Sequence, residues 1–285
     1  MRYSYYPGCT LSSTGVEYGR SVAAVCQALG IELVELEDWS CCGSSSAHAL
    51  DHELALSLPV RNIALAQPAG MDTVMPCPAC YQRTLRAYKR LREDETWRQE
   101  MEALLGFAYD GQGRPRHLLD VLGHDLPPDS ISSRVKRPLK GLKPVSYYGC
   151  MLIRPPKLTG WDDPEHPVLM DRLLSILGAE PMSWSYGVDC CGGSLSLDRS
   201  DLVKALVGRL VAAAEEADAN CIVTVCGMCH INLDTRQQGT QMPIFYLTEL
   251  IGLALDLPGQ DKWFNKHFIS PLPLLDSLEL VGQRR

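Results

Sequence analysis

Ten of the twelve cysteines in this 285-residue chain form two copies of one pattern. The first copy is Cys9, the pair Cys41-Cys42, then Cys77-Pro78-Ala79-Cys80. The second is Cys150, Cys190-Cys191, then Cys226-Gly227-Met228-Cys229. In both, 34 residues separate the Cys pair from the C-x-x-C, and Cys41 and Cys190, like Cys77 and Cys226, stand 149 positions apart. A repeat this long predicts two related lobes rather than a solenoid. A matched set of thiols in each predicts a soft-metal or iron–sulfur site in each, because the thiolate is the preferred ligand of both.

The repeat extends past cysteine. Ser4-Tyr5-Tyr6-Pro7-Gly8 answers Ser146-Tyr147-Tyr148-Gly149, and Leu29-Gly30-Ile31-Glu32 answers Leu177-Gly178-Ala179-Glu180. Apolar runs that read as strands (Tyr3–Tyr6, Ile31–Leu36 and Thr73–Met75; Val145–Tyr148, Glu180–Trp184 and Cys221–Val225) alternate with helical patterns (Val16–Leu29 and Ala55–Ala66; Leu202–Ala217). Alternation of this kind predicts an α/β fold of two pseudo-repeated lobes, each a small, mostly parallel sheet flanked by helices. In such sheets ligands sit beyond the carboxyl ends of the strands, where all six cysteine groups fall. Glycine beside Cys9, Cys42, Cys150, Cys191 and Cys226 would allow close approach of backbone to sulfur. The expected organisation is a first domain over 1–90, a helical linker over 91–143, a second domain over 144–242, and a C-terminal helix and tail over 243–285. Within the linker the pattern predicts a charged helix Leu91–Leu105 and a short helix near His117–Leu122. The second copy carries eight more residues before its Cys pair, in Ile153–Pro167, which reads as a loop beside the second site, a lid or a wall. The helix Pro243–Leu257 and the aromatic segment Trp263–Phe268 are candidates for docking on a membrane or another subunit.

A net charge of −7 argues against a nucleic-acid partner. The first residues lack the apolar core of a signal peptide, and no run approaches the roughly 18 apolar residues of a membrane span. The expected location is cytoplasmic, with peripheral attachment to a membrane as the alternative. Thiols stay reduced there, so metal binding or catalysis is a better reading than disulfides. No G-x-G-x-x-G follows a strand, so neither flavin nor NAD is expected on this chain. Electrons must then be exchanged with a partner.

Five thiols per copy fit tetrahedral zinc awkwardly, so zinc is a minor alternative at one site. A cubane cluster also takes four thiolates. Adjacent cysteines reach neighbouring irons of an open cluster more easily than opposite corners of a cube. Cys26 and Cys221 have no repeat partner and read as core thiols. His230, next to Cys229, is a candidate to orient substrate or donate a proton. Arg154, four residues after Cys150, would pair with an anionic substrate, though a surface arginine is the commoner outcome. His48 and His52 share a helix face, and Ser44–Ser46 would offer hydroxyls to sulfur.

The patterns C-x31-CC-x34-C-x2-C and C-x39-CC-x34-C-x2-C resemble the CCG cysteine-rich domain, and over essentially its whole length the chain is similar to the heterodisulfide reductase B-type family of proteins. The resemblance implies two non-cubane [4Fe-4S] clusters, one on Cys9, Cys41, Cys42, Cys77 and Cys80, the other on Cys150, Cys190, Cys191, Cys226 and Cys229. It also implies that a disulfide enters between the clusters and that each supplies one electron. Implied partners are the ferredoxin-like protein and the flavoprotein of a heterodisulfide reductase-like complex. Methanogen members often carry proline after the first Cys pair; Gly43 stands there here, which favours a bacterial relative acting in sulfur oxidation on a lipoate-bound or other sulfur carrier. A non-catalytic electron-transfer or membrane-docking component of a succinate dehydrogenase-type enzyme is the alternative.

Overall fold

The structure, a computed structural model, describes residues 1–44, 47–127, 129–239 and 241–281, without the side chains of His48 and Ala49. It is α/β, with two small parallel sheets flanked by helices. The first sheet comprises β1 (Arg2–Tyr5), β2 (Glu32–Glu35), β3 (Thr73–Met75) and β4 (Pro115–His117) in the order β2-β1-β3-β4. The second comprises β5 (Pro144–Tyr147), β6 (Cys221–Thr224) and β7 (Ile244–Tyr246) in the order β5-β6-β7. Every pairing is parallel, with Tyr5 opposite Glu35, Met75 opposite His117 and Thr224 opposite Tyr246.

Two strands lie where none was expected. Pro115–His117, inside the predicted linker, is an outer strand of the first sheet, and Ile244–Tyr246 occupies the same place in the second. Each is only three residues long and runs straight into a helix, Leu118–His124 or Leu247–Ala254, so the helical period swamps the strand signal. Conversely, Glu180–Trp184 is not a strand. It runs along β5, with Glu180 N bonded to Leu142 O at 2.9 Å and Met182 N to Pro144 O at 2.7 Å. Pro181 has no N–H for a ladder. The charged helix predicted over Leu91–Leu105 is two helices, Pro78–Glu93 and Glu95–Leu105. Asp94 ends the first and caps the second, its carboxylate accepting from Trp97 N at 3.0 Å.

A continuous apolar core joins the lobes. The helix Val16–Ala28 buries Tyr18, Val22, Val25 and Cys26, and packs against Leu247–Ala254, all eight of whose residues are buried. Each large side chain so buried is worth about 1.5–3 kcal/mol. The C-terminal helix expected to offer a docking face is therefore consumed inside the molecule, together with Trp263 and Phe264; Phe268 of the aromatic segment stays exposed. Polar bonds cross the same seam. Ser21 Oγ and Thr248 Oγ1 are 2.7 Å apart. The fully buried Tyr18 hydroxyl lies 3.2 Å from Pro76 O and 3.0 Å from Val225 O, so one proton is shared between a carbonyl of each lobe.

Replacing Tyr18 with phenylalanine removes that shared donor and is expected to lower unfolding free energy by about 1–3 kcal/mol. The urea midpoint of the full chain measures this; an unchanged midpoint would deny the bridge any part in stability.

Candidate iron–sulfur site

Eight of the ten repeated cysteines follow a strand, and the remaining two, Cys190 and Cys191, follow the extended segment that runs along β5. In the first lobe the chain leaves β1 for a single helical turn, Gly8–Leu11, carrying Cys9. It leaves β2 for a loop carrying Cys41 and Cys42, and β3 for Cys77, the N-cap of Pro78–Glu93, with Cys80 in that helix's first turn. The second lobe repeats this: Cys150 follows β5, Cys190 and Cys191 lie in a loop, and Cys226 caps Gly227–Thr235 with Cys229 in its first turn. Cys42, Cys77 and Cys80 are buried and Cys9 and Cys41 exposed; Cys191, Cys226 and Cys229 are buried and Cys150 and Cys190 exposed. Each set is thus a buried trio beneath an exposed pair.

Thiol contacts run Cys41–Cys42–Cys80–Cys77 in the first set, with 3.3 Å between the Cys42 and Cys80 sulfurs. In the second they run Cys191–Cys229–Cys226, and Cys150 and Cys190 are 3.8 Å apart. Protons are shared unequally along these chains. Donation from Cys41 and then Cys80 brings the Cys42 thiol down to about 3, and donation from Cys150 brings Cys190 down to about 6. The donors Cys41, Cys80 and Cys150 are pushed up in return. Backbone N–H groups of Gly43, Gly192 and Cys229 point at Cys41, Cys190 and Cys226 Sγ at 3.4, 3.3 and 3.4 Å. Gly8 and Gly149 close the cradles: at φ +72° and +70°, a Cβ would stand 3.0 Å from Cys80 Sγ and 3.1 Å from Cys229 Sγ. Soft sulfur donors, amides directed at sulfur and glycines that leave room beside it suit an iron–sulfur cluster. Cys26 and Cys221 lie apart in the core; burial pushes Cys26 up to about 12 and raises Cys221 as well.

The supports of these loops escaped the sequence reading. Tyr6 and Tyr147 each stand three residues before the first cysteine of their set, and their hydroxyls donate to Ser40 O (2.8 Å) and Asp189 O (2.7 Å), the carbonyls just ahead of the two Cys pairs. The repeat itself held that signal. The two sets also meet. Thr10, beside Cys9, packs so closely on Gly227, beside Cys226, that a Cβ on the glycine would be 2.5 Å from the threonine methyl.

Of the other predicted site residues, His230 is buried and well away from solvent. Its Nε2 bonds Ile244 O at 3.1 Å, its ring stacks on Tyr246 with centroids 4.1 Å apart, and burial holds it far below the usual imidazole range, hence neutral. Arg154 lines a pocket of about 340 Å³ beside Cys150 and Cys190, but its guanidinium is engaged within its own loop by Glu165 and Pro164 O. Tyr186 and Arg209 line that pocket too. A larger hollow of about 530 Å³ near Arg137 and Asp256 touches no cysteine. His48 falls in the turn Ala47–Leu50, its side chain outside the described residues, as are Ser45 and Ser46. The extra loop of the second copy is a wall against the first lobe: Gln82 Nε2 donates to Met151 O and Arg154 O, and Trp161 Nε1 to Tyr81 OH.

The cysteine-rich domain (CCG) family description matches residues 3–83 and 145–234, spanning both sets. The chain belongs to this family. It is 30% identical over 95% of its length to the 8-methylmenaquinol:fumarate reductase membrane anchor subunit of Wolinella succinogenes, covering 98% of that protein. It is 27% identical to the B-type component of the ferredoxin/F(420)H(2)-dependent CoB-CoM heterodisulfide reductase of Methanosarcina acetivorans, with 96% of each chain covered. It is 29% identical to a protein of Archaeoglobus profundus that is likewise named for its likeness to the B-type component of heterodisulfide reductase, over 90% of this chain and 91% of that one. A crystal structure of a hypothetical protein from Helicobacter pylori shares the fold, with a TM-score of 0.73 and 10% identity over 94% of this chain; the chain spans about half, 52%, of that protein. The cysteine-rich family protein is thus iron–sulfur binding and of the oxidoreductase kind, with relatives that are subunits of larger complexes. Among the described residues no helix is long and apolar enough to cross a membrane.

Gly149→Ala should strain the second cradle and lower iron retention there, while the first set loads normally; iron and sulfide analysis beside the wild type checks this. His117, whose Nε2 donates to Pro76 O at 2.8 Å while Nδ1 accepts from Leu119 N, is held down to about 4 by burial, against an ordinary 6.5. The unfolded chain therefore takes up a proton that the folded chain refuses, and stability falls as pH drops from 6.5 toward 4, by about 3 kcal/mol in all. The difference in unfolding free energy between pH 7 and 4.5 should shrink in His117→Gln.

Proposed function

We propose that the ten cysteines hold two [4Fe-4S] clusters of the non-cubane type and that the chain is the thiol–disulfide component of a heterodisulfide reductase-like complex. The observation that carries this reading is the repeated construction of the sets, each a buried trio under an exposed pair, in lobes that touch at Thr10 and Gly227. Bound clusters would supply electrons one at a time. Opening a disulfide takes two electrons and two protons and yields two thiols, so one site for each sulfur matches the stoichiometry. The chain's own part is to present sulfur at an open rim while the buried thiols and tyrosine-anchored loops hold the rest fixed. The pocket beside Cys150 and Cys190, with Val188, Leu206 and Leu210 on its walls, would suit an aliphatic thiol such as the chain of a lipoyl-type carrier. Electrons would come from a ferredoxin-like protein and a flavoprotein of the same complex. His230 would serve as a support for Tyr246 rather than as a proton donor, its Nε2 being occupied and its ring buried.

The likeness to a fumarate reductase anchor protein favours a second reading, electron transfer between a quinol-linked partner and a dehydrogenase, with no disulfide involved. Anaerobic purification should yield roughly eight irons per chain if two four-iron clusters are present. Dye-linked turnover of lipoamide or a heterodisulfide then separates the two readings. Full iron loading with no thiol or disulfide turnover, alone or with the partner proteins, would leave the electron-transfer reading standing and reject the first.

A further inference from the structure

The two sets are not electrically alike. In the second lobe Asn232, three residues after Cys229 on the same helix, is 1% exposed and directs its Nδ2 at Cys191 Sγ, 3.6 Å away, and at Cys191 O, 3.4 Å away. Its Oδ1 accepts from Ser196 Oγ at 2.9 Å, which fixes the amide so that the N–H side faces sulfur. Carried back through the 149-residue offset, Cys229, Cys191 and Asn232 fall on Cys80, Cys42 and Arg83. Arg83 stands three residues after Cys80 on Pro78–Glu93, one turn along the same face. The Cys42 and Cys80 sulfurs are 3.3 Å apart, and while burial and Arg86 disfavour the charge on Arg83, Cys42 lies near enough to favour it. Arg83 Nε is a buried donor with no hydrogen-bond partner among the described residues. A buried, idle N–H is a deficit that folded proteins seldom leave unfilled.

We propose that Arg83 is the first set's counterpart of Asn232, a positioning residue whose idle Nε–H is reserved for sulfur on the Cys42 side, so that a cation faces one set where a neutral amide faces the other. This rests on the two-cluster reading above. Hydrogen bonds to sulfur and nearby charge both set a cluster's reduction potential. A guanidinium favours the form with the extra electron more than an amide does. At this position the first centre gains a stabilisation on reduction that the second lacks; the cations of the second set, Arg154 paired with Glu165 and Arg209, stand instead at its open pocket.

The test is a redox titration of the full-length, iron-loaded protein followed by electron paramagnetic resonance, with Cys80→Ser and Cys229→Ser chains used to assign each signal to its set. Arg83→Gln should shift the first set's potential downward and leave the second in place. Asn232→Leu should do the reverse. Arg83→Lys, which keeps the charge and disturbs the fold least, should shift the first by less than Arg83→Gln. Iron loading should stay at the wild-type level throughout. Equal shifts at both sets, or none at the first set in both Arg83 variants with iron intact, would overturn the assignment and leave the two-cluster reading untouched. A wild-type chain carrying zinc alone would sink both.

Discussion

One hydroxyl ties the halves of this protein together at the place that matters most. Tyr18 reaches from the first lobe to the carbonyls of Pro76 and Val225, the residues directly before Cys77 and Cys226. Each directly precedes the N-cap cysteine of a helix whose first turn carries a second cysteine, so their position fixes where those helices begin. His117 adds a second donor on Pro76. Around this point Tyr18 stacks on Tyr246 with centroids 4.1 Å apart and an interplanar angle of 1°, and Tyr246 in turn stacks on His230. Buried rings stacked in this way are stiff, and with the Tyr18 hydroxyl and His230 Nε2 both bonded they couple the position of one lobe to the other.

Thiols are the second constraint. Cysteine gathered this densely cannot all be ionised together without a cation: hydrogen bonding between the thiols favours ionisation of Cys42, Cys77, Cys190 and Cys191 and opposes it at their partners Cys41, Cys80, Cys150 and Cys229. A metal centre relieves that repulsion, which links its binding to deprotonation. Burial of three sulfurs per set lowers the local dielectric and keeps solvent from them, while the two exposed sulfurs leave one side approachable.

Much of this was legible in the sequence. The duplicated cysteine spacing indicated two lobes, and strand–helix alternation indicated parallel sheets with sulfur at the strand ends. What escaped has physical reasons. β4 and β7 are three residues long and merge into helices, so no alternation has room to show. The helix Leu247–Ala254 reads as an exposed apolar face only when its partner, Val16–Ala28, more than 200 positions earlier, is unknown. His230 looks catalytic by its place beside a cysteine, yet on a helix the next residue points elsewhere, here inward to Ile244 O. Tyr6 and Tyr147 were marked by the repeat, but which carbonyl a hydroxyl reaches more than 30 residues away leaves no mark on spacing.

The aromatic arrangement at the seam differs between the halves. After the C-x-x-C the first half carries Tyr81 and the second His230; at the end of the outer strand the first half carries His117 and the second Tyr246. The residue types are exchanged between equivalent places, and the bridging tyrosine exists on one side only, since the helix Leu169–Ile176 is eight residues against the thirteen of Val16–Ala28. The joint is therefore heterologous, built from unlike surfaces, and each half supplies a piece that the other lacks.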